Sequence, residues 1–346
     1  MIVVMRPNTA EAEVERVVAW LRDAGLQLYV SRGAERTLIG ASGDSGTATA
    51  EALERVPGVE SVLRVGRPFT LAAREFAPEG SVVQVGGVAV GGGTPAVIAD
   101  VARAPAADTL HGDAAGARAA GATLLQGSAY PPRGGSLEPL ELDEARLETL
   151  AATARALGLP LVVEVALPQD VARVCRSADA LRIAARDMQN AGLLQECGRA
   201  ARPVVLERGT AARVEEWLVA ADAVLARGNR QLILCERGIR TFETANPTFD
   251  VSSIPLVERL SHLPVIANPS AGAGRWELVE ALALGALAAG ADGLVLEVHA
   301  DAGELPADSA SISVASFAGL MAKLRPLAAA LGRPLPEAQA DTAASS

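Results

Sequence analysis

Glu297 and His299 stand two residues apart at the end of the apolar run Gly293–Leu296. Strand alternation would turn both to one side, where a carboxylate beside an imidazole can exchange protons near neutral pH. Other short apolar runs also end in polar groups: Asp100, Gln126, Glu164, Arg186, Glu207, Glu236 with Arg237, and Asn268. Guanidinium forks set among carboxylates suit substrates that carry carboxylate or phosphate groups. Tyr130, one of two tyrosines, could stack on a ligand, donate a proton or fill space. His111 and His262 read as packing residues. Cys175, Cys197 and Cys235 are odd in number and form no CxxC, which fits neither a disulfide framework nor a zinc knuckle. Cys175 and Cys197 read as buried on helices, whereas Cys235 closes a strand and so lies nearer a site. The single lysine, Lys323, falls on the last helix, which disfavours a Schiff-base aldolase.

The elements that must gather these residues alternate in type. Strand-like runs cover Ala96–Ala99, Thr123–Leu125, Leu161–Val163, Ala180–Ile183, Val204–Leu206, Leu232–Leu234, Val265–Ala267 and Gly293–Leu296, each followed by a helical pattern or loop. Eight βα units predict a closed (β/α)8 TIM barrel, α/β in class, with its chemistry at the C-terminal strand ends. Before it, a strand (Ile2–Met5), a helix (Ala10–Ala24), two strands (Leu26–Val30, Arg36–Ile39), a helix (Thr47–Arg55) and a strand (Val59–Val65) predict a ferredoxin-like α+β domain over residues 1–66. Residues 67–95 read as a linker and a hairpin turning at Gly86-Gly87, residues 96–331 as the barrel, and 332–346 as a flexible tail. The glycines of the hairpin lack the strand–turn–helix setting of a nucleotide loop. Gly272-Ala-Gly274 reads as the opening of the helix after the seventh strand, where backbone N–H groups can hold an anion.

Half of the 346 residues are hydrophobic but only 3% are aromatic, so Ala, Val, Leu and Ile must build the core. The net charge of −10 argues against nucleic acid or an anionic membrane as partner. No run approaches the roughly 18–20 apolar residues of a membrane span, and Met1 leads directly into a strand rather than a signal peptide. A cytoplasmic protein is expected.

The ordered segments Gln126-Gly-Ser-Ala-Tyr-Pro-Pro-Arg133, Ala184-Ala-Arg-Asp-Met-Gln-Asn190, Leu206-Glu-Arg-Gly209, Leu234-Cys-Glu-Arg-Gly-Ile-Arg-Thr-Phe-Glu243, Asn268-Pro-Ser270 and Leu296-Glu-Val-His299 resemble the barrel motifs of the type I 3-deoxy-7-phosphoheptulonate (DAHP) synthases. The subgroup is the one with an N-terminal ferredoxin-like domain, and the resemblance runs from Met1 to about Leu331. It implies condensation of phosphoenolpyruvate with erythrose 4-phosphate on a divalent metal held by Cys, His, Glu and Asp. The Cys position falls on Ala102 and the His position on Ala271, while Glu297 and Asp308 match the other two. Alanine has no donor atom, so a transition-metal site is expected to be lost, with a weak Mg2+ site on oxygen donors and water as the remaining option.

The family's sugar-phosphate loop is here Pro131-Pro-Arg-Gly-Gly135, and its phosphate-binding Lys falls on Glu207. Two unit charges a few ångströms apart interact by about 4 kcal/mol at an effective dielectric of 20. A repulsion of that size would weaken phosphate binding on the order of a thousandfold, and Glu207 is expected to pair with Arg186 or Arg237 and quench the old phosphate site. The resemblance assigns substrate contacts to Arg133, Arg186, Arg208, Arg237, Arg240, Glu207, Asn268 and Ser270, with His299, Glu297 and Tyr130 as catalytic candidates. Together these changes predict a barrel turned to a metal-independent lyase or transferase reaction on a small carboxylate-bearing intermediate in specialised metabolism, assembled as a homo-oligomer. One alternative is a non-catalytic regulatory or scaffolding paralogue that partners an active DAHP synthase. The other is a DAHP synthase with an atypical metal site.

Overall fold

Residues 1–33, 36–42, 48–63, 67–101, 106–131, 140–242, 247–299 and 309–336 are described by the computed structural model. The chain opens with β1 (Ile2–Met5), α1 (Glu11–Asp23), β2 (Gln27–Arg32), β3 (Thr37–Ser42), α2 (Ala48–Leu53) and β4 (Val59–Leu63). Their sheet has the order β2-β3-β1-β4 with antiparallel neighbours, the ferredoxin-like arrangement expected from the element order. Helix α1 buries Val14, Val17, Val18 and Leu21, one stripe at helical spacing, against Val3, Met5 and Ile39 of the sheet.

The hairpin β5 (Val83–Val85) and β6 (Val88–Val90) turns through Gly86 and Gly87, both at positive φ. A Cβ at Gly86 would lie 2.5 Å from Pro160, so this turn must press against the start of a barrel strand. Val83, Val85 and Val90 join the barrel's inner core, and the hairpin thereby floors the barrel.

The barrel follows as β7 (Ala96–Asp100), α3 (Ala107–Ala120), β8 (Leu124–Gly127), α4 (Glu144–Leu157), β9 (Leu161–Glu164), α5 (Val171–Ser177), β10 (Ala180–Ile183), α6 (Ala191–Arg199), β11 (Val204–Glu207), α7 (Val214–Leu225), β12 (Leu232–Glu236), α8 (Ser253–Leu260), β13 (Val265–Ala267), α9 (Pro269–Ala273), α10 (Trp276–Ala288), β14 (Gly293–His299), β15 (Ile312–Ser313) and α11 (Val314–Ala330). Strands β7 to β14 are all parallel. The sheet closes where β14 pairs with β7 and with β13. Alternation divides each strand. Ile98, Leu124, Val162, Val205, Ile233, Ile266 and Val295 fill the inside, while Val97, Leu125, Val163 and Leu206 meet the helices.

The front domain docks at the end of the barrel opposite its mouth. Arg230, just ahead of β12, donates to the Val30 carbonyl at 2.7 Å and lies 4.5 Å over the Tyr29 ring. The buried Asp222 carboxylate accepts from the Thr70 and Ala72 amides at 2.7 and 2.6 Å, pinning the linker to α7. His262 bridges the same region: Nε2 donates to the Leu71 carbonyl and Nδ1 accepts from the Ser81 hydroxyl, each at 2.7 Å.

One expectation is corrected here. Gly272 and Gly274 do not open the helix after β13; they end the short α9, with Gly274 in the left-handed region as its cap. A Cβ at Gly272 would meet the Phe249 ring at 2.4 Å, so packing accounts for that glycine. No described helix is long and apolar enough to cross a membrane.

Candidate active site

Most barrel strands extend one to three residues beyond their apolar runs, so several of the polar groups expected just past the strands lie within them. Counting in twos from the inner core places Asp100, Gln126, Glu164, Arg182, Glu207, Cys235 and Glu297 in one inward layer at the C-terminal end. Register aligns their neighbours: Glu297 with Asp100, Asp100 with Gln126, Glu164 with Arg182, and Glu207 with Cys235. Arg182 escaped the sequence reading, which sought charges after the strands. Its signal was present in the alternation of Ala180-Leu-Arg-Ile183, which turns Arg182 inward with Ala180.

Arg182 lies between two buried carboxylates, donating to Glu164 at 2.7 Å and to Glu207 at 2.8 Å. Glu164 also accepts from Arg186 at 2.5 Å, and Glu207 from the Ala185 amide at 3.0 Å. Arg237 Nε stands 3.4 Å from Glu207, an ion pair without hydrogen-bond alignment. A continuous chain results: Arg186–Glu164–Arg182–Glu207–Arg237. Burial alone would raise the pKa of both glutamates. The charge of Arg182, then that of Arg186 on Glu164 and of Arg237 on Glu207, outweighs burial and holds both below the usual range.

Only the ends of the chain reach solvent. The Arg186 and Arg237 side chains are 43% and 30% exposed, against 2–11% for the three groups between them. Asp187 Oδ2 also lies 3.6 Å from Arg186 Nε, so three cations meet three carboxylates. Nearby, Gln126 donates to Asp100 at 2.6 Å, while Gln126 Oε1 and Arg182 Nε are buried with no hydrogen-bond partner among the described residues. Buried polar atoms left in that state carry a cost that a bound polar molecule removes.

The other predicted residues separate from this layer. Arg208 is buried in a second cluster, donating to Glu236 at 2.9 Å, Asp250 at 2.8 Å and the Ala212 carbonyl at 3.0 Å. Glu236 does not face the barrel interior, because Cys235 takes that place on β12; it accepts from Ser253 and the Gly238 amide instead. Tyr130 is buried, and its hydroxyl donates to Asp170 at 2.9 Å. Burial first, then this bond, pushes its pKa well up. The Asn268 side chain caps α9 through the Ala271 amide, and Ser270 Oγ accepts from the Glu297 amide. Arg240 is exposed. Glu297 accepts from the Ser311 hydroxyl, and His299 is buried two residues beyond. Cys235 sits beneath the charges, where burial holds its thiol protonated. Ala102, Arg133 and Asp308 lie outside the described residues.

Among the described residues no three His, Cys, Asp or Glu side chains converge to hold a metal ion. Ala271 presents a methyl group at the position where the resemblance puts a metal-binding histidine.

The fold and this layer define a class: an α/β barrel whose mouth carries the part-exposed guanidiniums of Arg186 and Arg237. The family follows from comparison with known proteins. Residues 141–324 match the model of the DAHP synthetase I family, and residues 1–67 match the DAHP synthase ferredoxin-like domain. A phospho-2-dehydro-3-deoxyheptonate aldolase of Thermotoga maritima is 37% identical over 334 residues, which cover 96% of this chain and 99% of that one. The crystal structure of that organism's DAHP synthase superposes with a TM-score of 0.75 at 37% identity, covering 97% of this chain and 99% of the other. A 2-dehydro-3-deoxyphosphooctonate aldolase of Geobacter sulfurreducens is 27% identical over 191 residues, 52% of this chain and 70% of its own. The chain belongs to the DAHP synthetase I family.

This kinship overturns the expectation of a metal-independent barrel working on another carboxylated intermediate in specialised metabolism, and with it the non-catalytic scaffold. An identity of 37% running almost end to end, through both domains, ties the chain to a DAHP synthase. Glu207 pairs with Arg237, one of the two partners expected for it, and in addition with Arg182.

Proposed function

We propose that the chain catalyses DAHP synthesis, the aldol-type condensation of phosphoenolpyruvate with erythrose 4-phosphate. The observation that carries this reading is the match to a DAHP synthase along 96% of the chain. The part-exposed guanidiniums of Arg186 and Arg237 suit the anionic groups of phosphoenolpyruvate. The hairpin floor and the apolar layers beneath the charges keep water from entering below. As C3 of phosphoenolpyruvate bonds to the aldehyde carbon, water adds at C2, and the resulting hemiketal expels inorganic phosphate to leave a ketone. His299 is the group we assign to protonate the alkoxide left at the former aldehyde carbon.

A divalent ion would polarise the aldehyde carbonyl. Because Ala102 and Ala271 bring no donor atoms, oxygen donors such as Glu297 and Asp308, completed by water, would favour a hard ion such as Mg2+.

The test incubates purified protein with both substrates in the presence of Mg2+, Mn2+ or a chelator, following phosphoenolpyruvate consumption and phosphate release. We expect consumption only when both substrates are present, with one phosphate released per phosphoenolpyruvate. Absence of turnover with either ion contradicts the reading.

A further inference from the structure

Every carboxylate in the ion-pair chain is shared. Glu164 is divided between Arg182 and Arg186, and Glu207 between Arg182, Arg237 and the Ala185 amide. The carboxylates are nearly fully buried and charged, so each must be compensated where it stands. Arg182 meets that need from inside the barrel, in register beside Glu164 and one strand from Glu207. Its neighbours are then not required to turn fully inward. Arg186 spends one Nη on Glu164, and Arg237 approaches Glu207 only by Nε at 3.4 Å; both stay substantially exposed.

Resting on the proposed condensation, we infer that Arg182 is a positioning residue. By neutralising Glu164 and Glu207 from within, it holds Arg186 and Arg237 outward, where they clamp an anionic substrate. Without it, the two buried carboxylates Glu164 and Glu207 face only those two cations, which are drawn inward. The sequence reading took Glu207 as the residue that silences this mouth; the geometry makes Glu207 one of two anchors against which Arg182 sets the clamp.

The test compares wild type, Arg182→Gln and Arg182→Gln/Glu207→Gln. For each variant the dissociation constant for phosphoenolpyruvate is measured by calorimetry, KM and kcat by turnover, and Tm by scanning. Arg182→Gln is expected to raise both the dissociation constant and KM by about tenfold or more, the effect of one charge-assisted contact, with a smaller change in kcat. The double variant restores the charge balance and should recover most of that affinity. If Arg182→Gln does not fold, the double variant decides: near wild-type affinity supports the inference, and a tenfold loss overturns it. A fall in Tm with unchanged affinity also overturns it, because Arg182 would then only stabilise the barrel. Wild type that binds phosphoenolpyruvate without forming product would sink the proposed condensation and leave the clamp standing. Wild type that binds neither phosphoenolpyruvate nor inorganic phosphate would sink the clamp.

Discussion

Two buried arginines, Arg182 and Arg208, sit near the ends of adjacent strands and are put to different use. Arg208 lies outside the barrel wall, where Glu236, Asp250 and a backbone carbonyl take its donors and the cluster closes on itself. Arg182 lies inside, one of its donors has no partner among the described residues, and the ion pairs around it open through Arg186 and Arg237 to the mouth. Residue type and burial are alike in the two places. What separates the two places is that the pairs around Arg182 run out to two part-exposed guanidiniums, whereas Arg208 itself stays buried.

The largest expected effect tests the closed side. Arg208→Met leaves Glu236, fully buried, without its cation, and should cost about 3–5 kcal/mol of stability. Denaturant unfolding would show this, while phosphoenolpyruvate affinity should be unchanged in the folded fraction. Next comes Tyr130→Phe, which strands the buried Asp170 without its hydroxyl donor and should cost about 1–3 kcal/mol. A loss of turnover exceeding the loss of stability would return Tyr130 to the catalytic group.

A pH experiment probes the end of the barrel where the front domain docks. Burial, above all, lowers the His262 pKa, with the Leu71 carbonyl opposing and Arg74 assisting. The unfolded imidazole takes its proton near pH 6.5, the folded one only at lower pH. The unfolded state therefore binds more protons below about pH 6.5, and stability should fall as pH drops from there toward the folded pKa. Urea unfolding between about pH 7.5 and pH 5.5 should show this slope, and His262→Asn should flatten it. The smallest stability effect belongs to the open side. Arg186→Gln removes a half-exposed partner and should cost under about 1 kcal/mol, yet weaken phosphoenolpyruvate binding about tenfold by calorimetry.

The barrel and the front domain were legible because eight apolar runs at βα spacing and a β-α-β-β-α-β order admit few arrangements. The mouth was legible in part. Asp100, Glu164 and Glu207 fell on the inward side, but Glu236 did not, because on β12 the inward positions are Ile233 and Cys235, which turns Glu236 outward. Arg182 was missed since a charge in the middle of an apolar run reads as an interruption, and only the sheet shows two carboxylates waiting for it. For Glu207 the pair with Arg237 was among those expected, while Arg182 was the partner missed. A sequence lists charges one at a time, whereas the field at a site depends on pairs made across strands.

A crystal structure with bound phosphoenolpyruvate tests the central claim most directly. The open chain predicts the ligand's anionic groups on the Arg186 and Arg237 guanidiniums, with Arg182 still bridging Glu164 and Glu207. Phosphoenolpyruvate bound away from these arginines, or Arg182 turned off its two carboxylates to meet it, would contradict the account.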